Sequence, residues 1–123
     1  KNMNIYESSE DYLEAILMLQ EKNGNVHSID IAQELDFSKA SVSIAMKKLR
    51  ENGYISMDHS GLITLLPPGK EIAERIFDRH QTLSKFFESI GVDSDTAQKD
   101  ACKVEHDISE ITFDKIKELV NQK

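Results

Sequence analysis

The sequence predicts a mainly α-helical chain in two parts. Residues 1–72 form an N-terminal winged helix-turn-helix, and residues 73–123 form an all-helical segment. Three observations predict it. Apolar residues recur at helical spacing in three successive stretches before Gly53. Two short alternating stretches then flank the turn Asp58-His59-Ser60-Gly61, as in a β-hairpin. After Pro67-Pro68-Gly69 only helical periodicity remains.

The first helix is expected over residues 6–22, with Tyr12, Ala15, Ile16 and Leu19 facing a core and Ser8 or Ser9 as cap. Asn23-Gly24-Asn25 stops it. Ser28 is expected to cap a short second helix, IDIAQELD, with Ile29, Ala32 and Leu35 on one face. Phe37-Ser38 turns the chain into a third helix from Lys39 to Asn52, with Val42, Ala45, Met46 and Leu49 inward. Gly53 ends it, as glycine does at many helix C-termini. YISMD and LITLL are the two wing strands. Proline suits the first turn of the next helix, which runs from about Pro68 to Ile90 and breaks at Gly91. Asp93 or Ser94 caps a helix reaching His106. Ser109 caps a last one, with Ile111, Ile116 and Leu119 apolar.

The chain has 123 residues and a formal net charge of −7. That balance argues against a generic nucleic-acid binder, because phosphate neutralisation supplies much of such affinity. The charge is uneven, however. Residues 1–21 set Lys1 against Glu7, Glu10, Asp11, Glu14 and Glu21, whereas residues 22–75 carry as many bases as acids. Clustered acids at the two ends would attract cations or simply solubilise the surface. The N-terminus KNMNIYESSEDY lacks a secretory pattern, and no apolar run reaches the length of a membrane span. With Cys102 as the lone cysteine, an internal disulfide is excluded. A cytoplasmic chain is expected. It starts at Lys1 rather than at Met, which suggests processing or trimming.

Two constellations carry chemistry. The first is the exposed start of the third helix, with Ser38, Lys39, Ala40, Ser41 and Ser43, flanked by Lys47, Lys48 and Arg50. Small hydroxyls and a helix N-terminus suit phosphates and base edges. Ser28 and the wing-tip residues His59 and Ser60 complete a DNA-facing set. Alternatively, these serines are caps and the lysines a solvated face. No Arg, Asn or Gln stands at the front of the helix, so DNA shape and phosphate contacts should carry much of the specificity.

The second constellation is Cys102, Glu105 and His106, at i, i+3 and i+4, which one helix presents on one face. Thiolate, carboxylate and imidazole all ligate divalent transition metals. Asp11 and Glu14 form a carboxylate pair on the first helix, and His80 lies on the long one. Each also has a plainer reading: a buried small Cys102, surface residues at Glu105 and His106, and helix-dipole partners at Asp11 and Glu14.

The stretches SSEDYLEAIL, IAQELDFSKASVSIAMKKLRENGYI, LITLLPPGKEIAERI, RHQTLSKFF and ACKVEHDIS together resemble the family of the diphtheria toxin repressor and the manganese transport regulator. The resemblance implies a homodimeric repressor activated by Fe(II) or Mn(II), with Co(II), Ni(II) or Zn(II) able to substitute in vitro. It implies a C-terminal metal-binding and dimerisation domain, double-stranded operator DNA as partner, and no small-molecule substrate or membrane. The implied ligands are Asp11, Glu14, His80, Cys102, Glu105 and His106. The match is mixed. Asp11 and Glu14 look like the manganese-sensing branch, and Cys102 like the iron-sensing branch. Ser84 and Gln98 stand where the iron branch's ancillary site has a Glu and a second His. No SH3-like domain follows before Lys123, as in the shorter two-domain form. Phe86, Phe87, Ile90, Ile108, Ile111 and Phe113 offer apolar surface for either a dimer contact or a core.

Three other readings compete. A metal-independent winged-helix regulator answering to a small molecule would share the head without needing the cluster. A hydrolase using Glu105 as base would need a nucleophile motif that the sequence lacks. A protein-protein adaptor would carry a degenerate head that binds no DNA.

Overall fold

A computed structural model describes residues 7–122, so Lys1 and the expected helix start at Tyr6 lie outside it. The order is α1 (Glu7–Asn23), α2 (Ser28–Leu35), α3 (Lys39–Glu51), β1 (Ile55–Met57), β2 (Ile63–Leu65), α4 (Pro67–Ser89), α5 (Ser94–Val104) and α6 (Glu110–Asn121). The chain divides into two compact units, one ending at Glu74 and the other starting at Arg75.

In the first unit, Leu13, Ile16, Val26, Ile31, Val42, Met46, Leu49, Ile55 and Ile63 are almost fully excluded from solvent. They come from every element up to the hairpin, which makes this a core of its own. On α2 the inward residues are Ile31 and Ala32, while Ile29 is 40% exposed. The expected Ile29 face is thus rotated. The N-cap is His27 rather than Ser28. The His27 N–H donates to Asp30 Oδ2 at 2.8 Å, which tethers the first turn. At the other end Asp36 takes a left-handed conformation, φ 57°. It reverses the chain into Ser38, whose hydroxyl accepts from the Ser41 N–H at 3.1 Å and caps α3.

β1 and β2 pair antiparallel, with Ser56 opposite Thr64. Asp58 builds the turn: one carboxylate oxygen accepts from the Ser60 N–H (2.9 Å), the Ser60 hydroxyl (2.7 Å) and the Leu62 N–H (2.9 Å). The base of the hairpin meets the first turn of α4. The Tyr54 carbonyl accepts from the Leu66 N–H at 3.0 Å, and a Cβ at Gly69 would lie 2.1 Å from that same oxygen. Only glycine fits there.

In the second unit, Ile76, Leu83, Ala97, Ala101 and Phe113 are buried. Asp93 caps α5 by accepting from the Thr96 N–H at 3.0 Å, and Ser109 caps α6 through the Thr112 N–H at 3.2 Å. On α6 the inward anchor is Phe113, while Ile111 is 75% and Leu119 49% exposed. α5 stops at Val104, two residues short of the expected end at His106. The turn that follows is held by Arg79, a buried side chain of α4. Its Nη1 donates to the Glu105 carbonyl (3.0 Å) and to the Ile108 carbonyl (2.8 Å), and its Nη2 pairs with Glu110 at 3.1 Å. The guanidinium also lies 5.2 Å from the Phe113 ring centroid.

Candidate metal centre and nucleic-acid interface

Two helices and one turn bring donors together in the second unit. His80 follows the Arg79 anchor on α4, Cys102 sits in the last turn of α5, and Glu105 is its C-cap. Their ligand atoms all lie within 4.8 Å of one another. His80 Nδ1 is 2.9 Å from Glu105 Oε1 and 3.7 Å from Cys102 Sγ. One imidazole nitrogen therefore faces both a sulfur and a carboxylate. Cys102, then Glu105, stabilise the protonated ring and raise the His80 pKa to about 10, against burial, which works the other way.

Glu105 is the buried pivot, with no solvent exposure. Its second oxygen, Oε2, has no hydrogen-bond partner and lies 3.5 Å from His106 Nε2. A buried carboxylate oxygen without a hydrogen bond is costly. A divalent cation would satisfy it, so this donor set fits a metal. Cys102, by contrast, is exposed, so the centre has a wet side and a dry side.

The structure thus regroups the expected donors. Spacing alone joined Cys102, Glu105 and His106 on one helix face. Because α5 ends at Val104, His106 lies in the turn beyond it, against the other oxygen of Glu105, and His80 takes the place beside Cys102. Asp11 and Glu14 lie one turn apart on α1 in the first unit, half-buried and buried. Ser84, at an ancillary-site position of the resemblance, is buried with its hydroxyl unbonded. Gln98, at the other, is exposed. Arg79 escaped the sequence reading; its only sequence signal is a basic residue on a face otherwise apolar.

In the first unit, the exposed side of α3 carries Lys39, Ala40, Ser41, Ser43, Lys47, Lys48 and Arg50. Two shallow cavities adjoin it. One of about 310 Å³ is lined by Ser28, Ile29, Lys39 and Ser43. Another of about 230 Å³ is lined by Ser28, Ser43, Ile44, Met46, Lys47, Arg50 and Met57. The Ser38 hydroxyl is occupied, since it caps the helix and donates its proton to Ser41 Oγ at 2.9 Å. At the wing tip, His59 and Ser60 are exposed, but the Ser60 proton goes to Asp58. That hydrogen bond, with those from the Leu62 and Ser60 amides, holds the Asp58 carboxyl below its usual range. The tip therefore carries a fixed negative charge that the sequence reading did not weigh.

The iron dependent repressor N-terminal DNA-binding domain matches residues 4–61, and the iron dependent repressor metal-binding and dimerisation domain matches residues 67–122. The chain belongs to the iron dependent repressor family. A helix-turn-helix-type transcriptional regulator of Methanocaldococcus jannaschii is 36% identical over 113 residues, covering 90% of each chain. The regulator MntR of Shouchella clausii is 37% identical over 113 residues, covering 92% of this chain and 79% of its own length. A manganese-dependent transcriptional repressor solved with manganese superposes with a TM-score of 0.83 at 28% identity, covering 92% of this chain and 52% of that one. The chain spans about half the length of that solved repressor and of several others it matches. The family is one of metal-dependent transcriptional regulators, not of enzymes. Its domain pair supports DNA and a second copy of the chain as partners. Among the described residues no helix is long and apolar enough to cross a membrane.

Proposed function

We propose that this chain is a metal-activated transcriptional repressor that binds operator DNA as a homodimer when loaded with Fe(II) or Mn(II). The observation that carries it is the His80–Cys102–Glu105 cluster, whose buried carboxylate has an oxygen without a hydrogen bond, inside the segment matching the metal-binding and dimerisation domain. His80, Cys102, Glu105 and His106 would hold the ion. Asp11 and Glu14 are assigned to the same chemistry by the family resemblance.

When bound, the ion neutralises carboxylates and ties its ligands together, so that metal binding and ordering become one equilibrium. The residues of the chain do the rest. Arg79 fixes the turn bearing Glu105 and His106, which sets their donors before an ion arrives. Lys39, Ser41, Ser43, Lys47 and Lys48 contact phosphates and groove edges along α3, with Ser28 and His59 at the margins. Ser38 serves the helix start, and Ser60 serves the wing turn. A homodimer presents two such helices to successive major-groove segments of one duplex.

The softer thiolate favours Fe(II) over Mn(II), and the carboxylates favour harder ions. We place Fe(II) first and Mn(II) close behind. The test is fluorescence anisotropy on a labelled duplex pool with Fe(II) (anaerobic), Mn(II), Co(II) or Zn(II), against a chelator control. Tighter binding with Fe(II) or Mn(II) is expected; equal affinity in chelator and in metal would overturn the reading.

A further inference from the structure

The recognition side of α3 holds a large apolar residue that neither capping nor phosphate contact explains. Ile44 is 59% exposed, although Val42, Met46 and Leu49 of the same helix are almost fully buried. A lone exposed apolar side chain says little by itself. Its setting says more. From Lys39 to Arg50 the helix carries four cations and no acid. Ile44 sits amid them, one turn before Lys47 and Lys48, with Ser43 beside it. It also lines the shallow cavity that contains Ser28, Lys47 and Arg50.

Resting on the DNA-binding reading above, we propose that Ile44 is a specificity-determining residue that packs against the 5-methyl group of a thymine in the major groove. The cations select the occupant. A second copy of this face would bring like charges together, whereas a polyanion neutralises them. Within a duplex, the major groove is where an α-helix fits, and the thymine methyl is the apolar group displayed there. Ile44 has no hydrogen-bonding atom in its side chain, so it can read that methyl and nothing else on a base edge. Phosphate contacts by the lysines set the register, and Ile44 supplies a direct base contact within it.

The test uses the full chain with Mn(II) and a duplex selected from a random pool. Each thymine is replaced in turn by deoxyuridine, which removes the methyl and leaves the pairing edge intact. At one or two positions the wild type should lose about fourfold in affinity, the worth of one buried methyl-sized group. Ile44→Ala should bind more weakly and lose that sensitivity at the same positions, and Ile44→Val should keep most of it. Unfolding curves of the variants should match the wild type, as the side chain is largely outside the core. Uniform insensitivity to deoxyuridine, or equal sensitivity in wild type and Ile44→Ala, overturns the inference while DNA binding stands. Selection of no duplex at all overturns both this inference and the reading on which it rests.

Discussion

Replacing Glu105 by Gln separates a metal-binding role from a folding role. Glu105 is fully buried; one oxygen meets His80 Nδ1 at 2.9 Å and the other has no hydrogen-bond partner. Gln has the same shape, keeps a carbonyl for His80, and places an amide where Oε2 was, near His106. In chelator, Glu105→Gln should therefore unfold within about 1 kcal/mol of the wild type, the net worth of one hydrogen bond. The metal-bound state should behave differently. A ligand at a hundred times its Kd adds roughly 2.7 kcal/mol of stability. Loss of an anionic donor should weaken Mn(II) by at least about a hundredfold, which erases that gain at the same concentration. Urea unfolding with Mn(II) and with chelator measures both numbers. An undiminished Mn(II) stabilisation in the variant would refute the ligand role. A loss above about 3 kcal/mol in chelator would show that the carboxylate serves the fold, as breaking a buried ion pair does.

Four further outcomes follow from the same structure. With the His80 pKa raised to about 10, an ion must displace that proton, so Mn(II) affinity by calorimetry should rise about tenfold per pH unit between pH 7 and 8. In chelator the sign reverses: the stability this pair contributes is complete below about pH 6.5 and is lost as pH climbs through the folded value, a trend that pH-dependent melting of His80→Gln should lack. Gly69→Ala places a Cβ 2.1 Å from the Tyr54 carbonyl oxygen, so instead of the roughly 1 kcal/mol gain usual for alanine in a helix, urea unfolding should show a loss of about 1–3 kcal/mol. If Lys47 contacts a phosphate, Lys47→Ala should lower the slope of log K against log salt by about 0.9; an unchanged slope in a salt titration would remove Lys47 from the interface.

The sequence displayed what is local. Ser38, Asp93 and Ser109 are caps readable from residue type, and Asp58-His59-Ser60-Gly61 is a turn readable from composition. Where two neighbours carry similar local signals, it misled. His27 and Ser28 compete for one N-cap, and the Asp30 carboxylate, reaching back to the His27 amide, decides it. The reading also put Ile29 on the inner face, where Ile31 stands beside Ala32. The candidate centre was legible as a set of residue types but not as a grouping. Whether His80 or His106 stands beside Cys102 depends on where α5 stops, and Arg79, twenty-six residues before Glu105 in the chain, holds the turn just past that stop. Periodicity does not register a contact at that separation.

The hairpin is seated on α4 through main-chain atoms, since the Tyr54 carbonyl meets the Leu66 amide and the space left by Gly69. A joint of that kind has no memory of side chains. Its fit is indifferent to what the loop four residues away carries, so long as Asp58 closes the turn. The tip is thus an exchangeable module on a fixed mount. His59 can be swapped for a cationic, neutral or acidic residue, and the charge of the tip retuned, without the scaffold beneath having to be rebuilt.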